Sequence, residues 1–221
     1  MNHSFSRRRP SGFTLIELLT VIAIIGVLAG IIFAVLGNIR RSAQQTQSLS
    51  KLRNIGSAAL VYASEHRGGL PVWHNYTTGT YWWRTLQPYI GEDLEAFHSP
   101  AHTGFDPSTP DRFTETMSYG WNYAVSGRHV GDPNRGSNHS LIVNDFPNPT
   151  KVLIAAEAQE SAYGFIAADT PPAQGRYGEN VPSVFLDGHV DSRPYSEFLQ
   201  TAPWFVGPKE VPPYIPTPSP Q

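Results

Sequence analysis

The chain has no cysteine among its 221 residues. Disulfides, thiolate metal sites and cysteine nucleophiles are therefore excluded. Charge is also scarce: 15% of residues are charged against 40% apolar, a low share for a cytosolic enzyme. The basic excess lies at the very start, where Arg7, Arg8 and Arg9 stand in a stretch with no acid. Without residues 1–12 the rest holds 13 basic and 18 acidic side chains, a net charge of −5. Nucleic-acid binding, which needs a basic patch, is not indicated. There is no internal repeat of 20–50 residues, no Gly-x-Ser-x-Gly elbow and no phosphate-cradling glycine loop. Glycine and proline are not scarce. Together they number 39, so much of the chain should be turns and loops.

One long apolar run follows the arginines. Phe13–Leu36 is 24 residues with a single charge, Glu17. As a helix it would span roughly 36 Å, enough for a ~30 Å hydrocarbon core. A secretory signal has a shorter apolar region and a small-residue cleavage site after it, and no such site follows Leu36. The arginines predict a cytoplasmic amino terminus. Glu17 does not suit a plain anchor, because an acid at the centre of a spanning helix costs on the order of 3 kcal/mol. If the chain were cut between Gly12 and Phe13, the new amino group would lie one helical turn from Glu17 and could pair with its carboxylate.

The segment Gly12-Phe13-Thr14-Leu15-Ile16-Glu17-Leu18-Leu19, behind a short basic leader, resembles the prepilin processing motif of type IV pilins and type II secretion pseudopilins. The resemblance implies that a membrane prepilin peptidase cuts after Gly12 and methylates Phe13. It implies that Glu17 then guides docking into a growing filament. The implied partners are that peptidase, other pilin or pseudopilin subunits and the inner membrane, with the head periplasmic.

Beyond Leu36 the segment Asn38–His66 holds no proline. Ile39, Ala43, Leu49, Leu52, Ile55, Ala59, Tyr62 and Ala63 recur at helical spacing and predict one helix from Phe13 to about Glu65. The alternative is two helices broken near Gly37. "RGGLP", Arg67–Pro71, should stop the helix. "YWWRTLQPYI" reads as a short amphipathic helix, and "MSYGWNYAVSG" and "KVLIAAEA" as strands. Val184–Leu186 and His189–Ser192 read as a hairpin around Asp187-Gly188. The expected fold is α+β and pilin-like: a long amino-terminal helix packed on a small antiparallel sheet. The expected divisions are leader 1–12, membrane and assembly helix 13–36, amphipathic continuation 37–66, head 67–207 and a proline-rich tail 208–221 with six prolines.

The resemblance extends into the head. "FHSPAH", "SYGWNY", "VLIAAEA" and "RYGENVPSVFLDGHVD" are similar to a large subgroup of prepilin-like proteins. Its carboxy-terminal mark is a His and an Asp-Gly with nine residues between them. Here Asp187-Gly188 is present and Tyr177 stands in the His position. Ser99-Pro100 stands where relatives often carry Cys-Pro.

Other constellations compete with plainer readings. Asp187, His189 and Asp191 alternate on the last hairpin and, with Asp145 or Glu157, could hold calcium; Asp187 is equally explained by its turn. His98 and His102 have zinc-like spacing, but Pro100 between them opposes a helix. Glu157 and Glu160 are expected to be solvated or structural. Trp73, Trp82, Trp83 and Trp121 could bind sugar or peptide, and core packing is the plainer use. No catalytic residue and no cofactor is assigned, calcium at Asp187 and Asp191 excepted. The favoured reading is a structural filament subunit. The rival is a membrane-anchored periplasmic enzyme or ligand-binding module.

Overall fold

The computed structural model describes residues 13–91, 93–108, 113–122, 129–130, 142–159, 163–167 and 170–199. The chain divides into two units, Met1–Arg41 and Ser42–Gln221. Helix α1, Leu15–Glu65, is unbroken at Gly37 and contributes to both.

In the first unit α1 is apolar and exposed. Large hydrophobic side chains from Phe13 to Ile39 lie open, and the helix is long and apolar enough to cross a membrane. An apolar helix with no side buried must find its cover in lipid or in other chains.

In the second unit the remainder of α1 packs on a five-stranded sheet of order β6-β3-β5-β7-β8. The strands are β3 (Tyr119–Asn122), β5 (Leu153–Glu157), β6 (Phe165–Ile166), β7 (Asn180–Phe185) and β8 (Val190–Pro194). All neighbours are antiparallel except β6, which joins β3 in parallel. This α+β layout is the expected one. A second, three-stranded sheet of order β2-β1-β4 lies in the same unit, built from β1 (His74–Asn75), β2 (Thr80–Tyr81) and β4 (His129–Val130).

Leu52, Ile55, Ala58, Ala59 and Ala63 of α1 meet the main core with Trp82, Trp83 and Leu86 of α2 (Trp82–Ile90) and Trp121 of β3. The predicted stripe is right over this part and shifts upstream: Ile39 is exposed and Ser48, not Leu49, is the buried residue of its turn. The opposite sheet face is closed by Phe198 of α4 (Tyr195–Leu199), packed with Leu153, Val181 and Phe185. A short α3 (Phe113–Thr116) leads into β3.

At Gly56 the helix lies close on the sheet. A Cβ there would lie 2.5 Å from Val184 Cγ2 of β7. Gly56→Ala should gain about 1 kcal/mol of helix propensity. It should lose about 1–3 kcal/mol to overpacking, because Val184 is itself buried. We expect a lower melting temperature for Gly56→Ala by thermal circular dichroism, and no fall for Ser57→Ala on the exposed face.

The helix stop falls where expected, with one difference. Gly68 N–H donates to the Ala63 carbonyl at 2.7 Å, which closes the end of α1. The left-handed cap residue is Arg67, with φ 56°, rather than a glycine. The last hairpin also differs in detail. Phe185 N–H donates to His189 O and Gly188 N–H to Phe185 O, giving a three-residue loop, Leu186-Asp187-Gly188. Positive φ is needed there at Gly188 (87°). Leu186 belongs to the loop because it is buried against the main core, and its N–H bonds Val152 O.

Candidate functional site

The start of α1 is built by two side chains. Thr14 precedes the first helical turn and Glu17 stands three residues on. The Glu17 carboxylate accepts from Thr14 N–H at 2.9 Å and from the Thr14 hydroxyl at 2.8 Å. Glu17 N–H donates back to the Thr14 hydroxyl oxygen at 3.3 Å. This is a reciprocal capping box, which satisfies amides that a helix start otherwise leaves open. The acid in the apolar run thus has a local partner. It stays at the surface of the helix, one turn from Phe13, a residue 72% exposed. Gly12 lies outside the described residues.

Residues 7–33 match the model of the prokaryotic N-terminal methylation motif. The match supports a type IV pilin-like family. It spans the basic residues, Gly12, Phe13, Glu17 and most of the apolar helix, the part of this pilin-like chain that carries no head. No curated protein and no solved structure matches the chain significantly.

The head holds a second constellation, which the sequence did not reveal. Glu157, at the end of β5, is 1% exposed. Its carboxylate accepts from Ser48 of α1 at 2.5 Å and from Arg176, 11% exposed, at 2.5 Å. Ser48 also bonds the Tyr119 hydroxyl at 3.0 Å. Arg176 donates in addition to Ser118 O at 3.1 Å. Burial, with the Glu157 charge beside it, raises the Tyr119 phenol well above its ordinary range. One polar cluster therefore ties helix, sheet and the loop before β7. Of the two expected uses of Glu157, solvated or structural, the structural one holds, because all five residues of β5 are buried and its carboxylate is paired. Glu160 lies outside the described residues.

Tyr177 and Ser99 are hydrogen-bonded to each other at 2.7 Å and buried. His102, three residues after Ser99, is also buried, with Nδ1 at 3.0 Å from the Ser118 hydroxyl. Burial, then the Arg176 charge, lowers its pKa to about 4, so it is neutral at pH 7. His98 stacks on Phe105, pairs with Glu95 through Nδ1 at 2.9 Å and donates from Nε2 to the His102 carbonyl oxygen at 3.0 Å. Both ring nitrogens of His98 are thus already engaged with protein atoms.

At the hairpin, Asp187 accepts from the backbone and the ring of His189, the latter at 2.5 Å. Burial raises the Asp187 pKa, but the bonds from His189 outweigh it and hold the carboxyl below its ordinary value. Asp191 pairs instead with Arg193 at 2.8 Å. Among the described residues no three His, Asp or Glu side chains are grouped to hold a metal ion. Of the four tryptophans considered, Trp82, Trp83 and Trp121 are core residues, and Trp73 is half-buried.

Proposed function

We propose that the chain is a pilin- or pseudopilin-type structural subunit. A prepilin peptidase cuts between Gly12 and Phe13 and methylates Phe13. The helix Phe13–Leu36 first holds the protein in the inner membrane, amino terminus inside and head in the periplasm. It then packs with other subunits in a filament of a type II secretion or type IV pilus-like machine. The observation that carries this reading is a methylation motif set on a helix whose apolar side chains are exposed all round.

The physical logic is sequential. Hydrophobic burial is worth roughly 25 cal/mol per Å² and does not distinguish lipid from a neighbouring helix, so the run can serve both states in turn. Direction and register need something polar. Glu17 supplies it: cutting at Gly12 leaves a cationic amine beside Thr14, whose amide already bonds the carboxylate. A charge pair in apolar surroundings favours one register over its neighbours.

The cut itself is tested at the residue before it. In cells with an active prepilin peptidase the wild-type chain should shorten by its first 12 residues. Gly12→Val should stay at precursor length on a gel, since a β-branched side chain stands where glycine leaves the backbone open. Equal shortening of both would rule out cleavage at this bond.

A further inference from the structure

Beside the polar cluster of the head lies a cavity of about 530 Å³, lined by Gln159, Ala173, Gln174, Arg176 and Tyr195. Three pieces of chain shape it. Gln159 follows the end of β5. Ala173 N–H donates to Glu157 O at 2.8 Å and ties the next segment to that strand end. Gly175 and Gly178 then pair in an antiparallel bridge, both at positive φ (87° and 77°), and turn the chain tightly at Arg176-Tyr177. Tyr195 opens α4; its ring packs on the second core cluster, and its N–H donates to Glu179 O at 2.7 Å.

Arg176 is held through one nitrogen. Nη1 bonds the Glu157 carboxylate and Ser118 O. Nε and Nη2 have no partner among the described residues, and neither is sealed from solvent. These two nitrogens form the side of a guanidinium that takes a carboxylate in two parallel bonds. The residue is 11% exposed and tied inward at its other end, so the open edge belongs to the cavity wall. Other groups there are open as well. Gln159 donates from Nε2 to Pro171 O, which leaves its own carbonyl oxygen. The Gln174 amide and the Tyr195 hydroxyl bond nothing among the described residues.

The chemistry narrows the ligand. No acid lines the cavity. Glu157 already balances the guanidinium charge, so a dianion such as phosphate meets no surplus of positive charge. A planar monoanion gains from the fork geometry instead. The carbonyl oxygens of Gln159 and Gln174 call for N–H or O–H donors on the same ligand. The volume is that of a small-ligand site, far larger than a bare carboxylate needs.

We propose that this cavity binds the carboxy terminus of a peptide, with its carboxylate on the Nε–Nη2 edge of Arg176 and its amide N–H groups toward Gln159 and Gln174. The site belongs to the head alone and stands whether or not the chain assembles. A free amino acid shares this chemistry, and the test separates the two sources.

The full chain in detergent micelles is titrated by calorimetry with N-acetyl-dialanine, with its carboxy-terminal amide, and with free alanine. The acid should bind at least about tenfold tighter than the amide, since bonds to a charged group are the strong ones. Arg176→Lys keeps a cation for Glu157 but has no second edge, and should lose the same factor. Gln174→Ala with Tyr195→Phe leaves the polar cluster intact and should weaken the acid about fivefold. Thermal unfolding checks that each variant is folded; if Arg176→Lys is not, the double variant decides. Alanine binding as tightly as N-acetyl-dialanine would overturn the peptide ligand in favour of an amino acid. No binding of any carboxylate, equal binding of acid and amide, or unchanged binding in the folded variants would overturn the site.

Discussion

Glu17→Ala is expected to abolish incorporation into filaments while leaving the head as stable as in the wild type. The substitution removes a capping box at the first turn of α1, worth about 1 kcal/mol locally. Glu17 belongs to the unit Met1–Arg41, and the head's unit begins at Ser42. Membrane insertion should improve, since an acid in an apolar span costs on the order of 3 kcal/mol near its centre and less near an end. Loss of assembly would therefore reflect neither failure to insert nor failure to fold. Glu17→Gln separates the two remaining roles. Glutamine can still cap the helix, because capping boxes accept Glu or Gln. It cannot pair with an amine as a charge. Co-purification of tagged and untagged copies reads the result: both variants should lose the partner copy. If Glu17→Gln retained it at the wild-type level, capping rather than charge would be the role of this residue.

Glu157→Ala should destabilise the head severely. The carboxylate lies among Ser48, Arg176 and, through Ser48, Tyr119. Removing it strands a guanidinium that is itself 11% exposed. Breaking a buried pair from one side costs about 3–5 kcal/mol. For a head of this size that corresponds to a fall of roughly 10 °C in melting temperature. Ser48→Ala removes a neutral hydroxyl and should cost about 1–2 kcal/mol. The order of the two effects, read by thermal unfolding of the full chain in detergent, is the discriminating result. A Glu157→Ala head that melts within a degree or two of wild type would show that the cluster contributes nothing to stability. The same cluster sets where the helix lies on the sheet, because Ser48 is the first fully buried residue of α1 and the partners belong to β3 and β5.

What could be read from the sequence was local. The apolar run and the stop at Arg67–Gly68 are written in neighbours three to five residues apart; so is the capping box of Thr14 and Glu17, which was not among the expectations drawn from the sequence. So are the period of Leu52–Ala63 and the short helix α2. The Asp-Gly hairpin was legible as a turn, though its length was set by Leu186, whose burial is a tertiary fact. The polar cluster could not be read this way. Ser48 and Glu157 are 109 residues apart, Ser99 and Tyr177 are 78 apart, and the sequence pairs neither. One signal was available for Glu157: an acid ending an otherwise apolar five-residue strand is placed where solvent does not reach. The parallel addition of β6 next to β3 was equally hidden, because a two-residue strand has no periodicity to show.

The most direct test of the account is the mass of the mature amino terminus, measured on protein from cells that carry a prepilin peptidase. The account predicts a chain that begins at Phe13 and bears one methyl group on its amine. An intact Met1, or a terminus beyond Leu36, would contradict it.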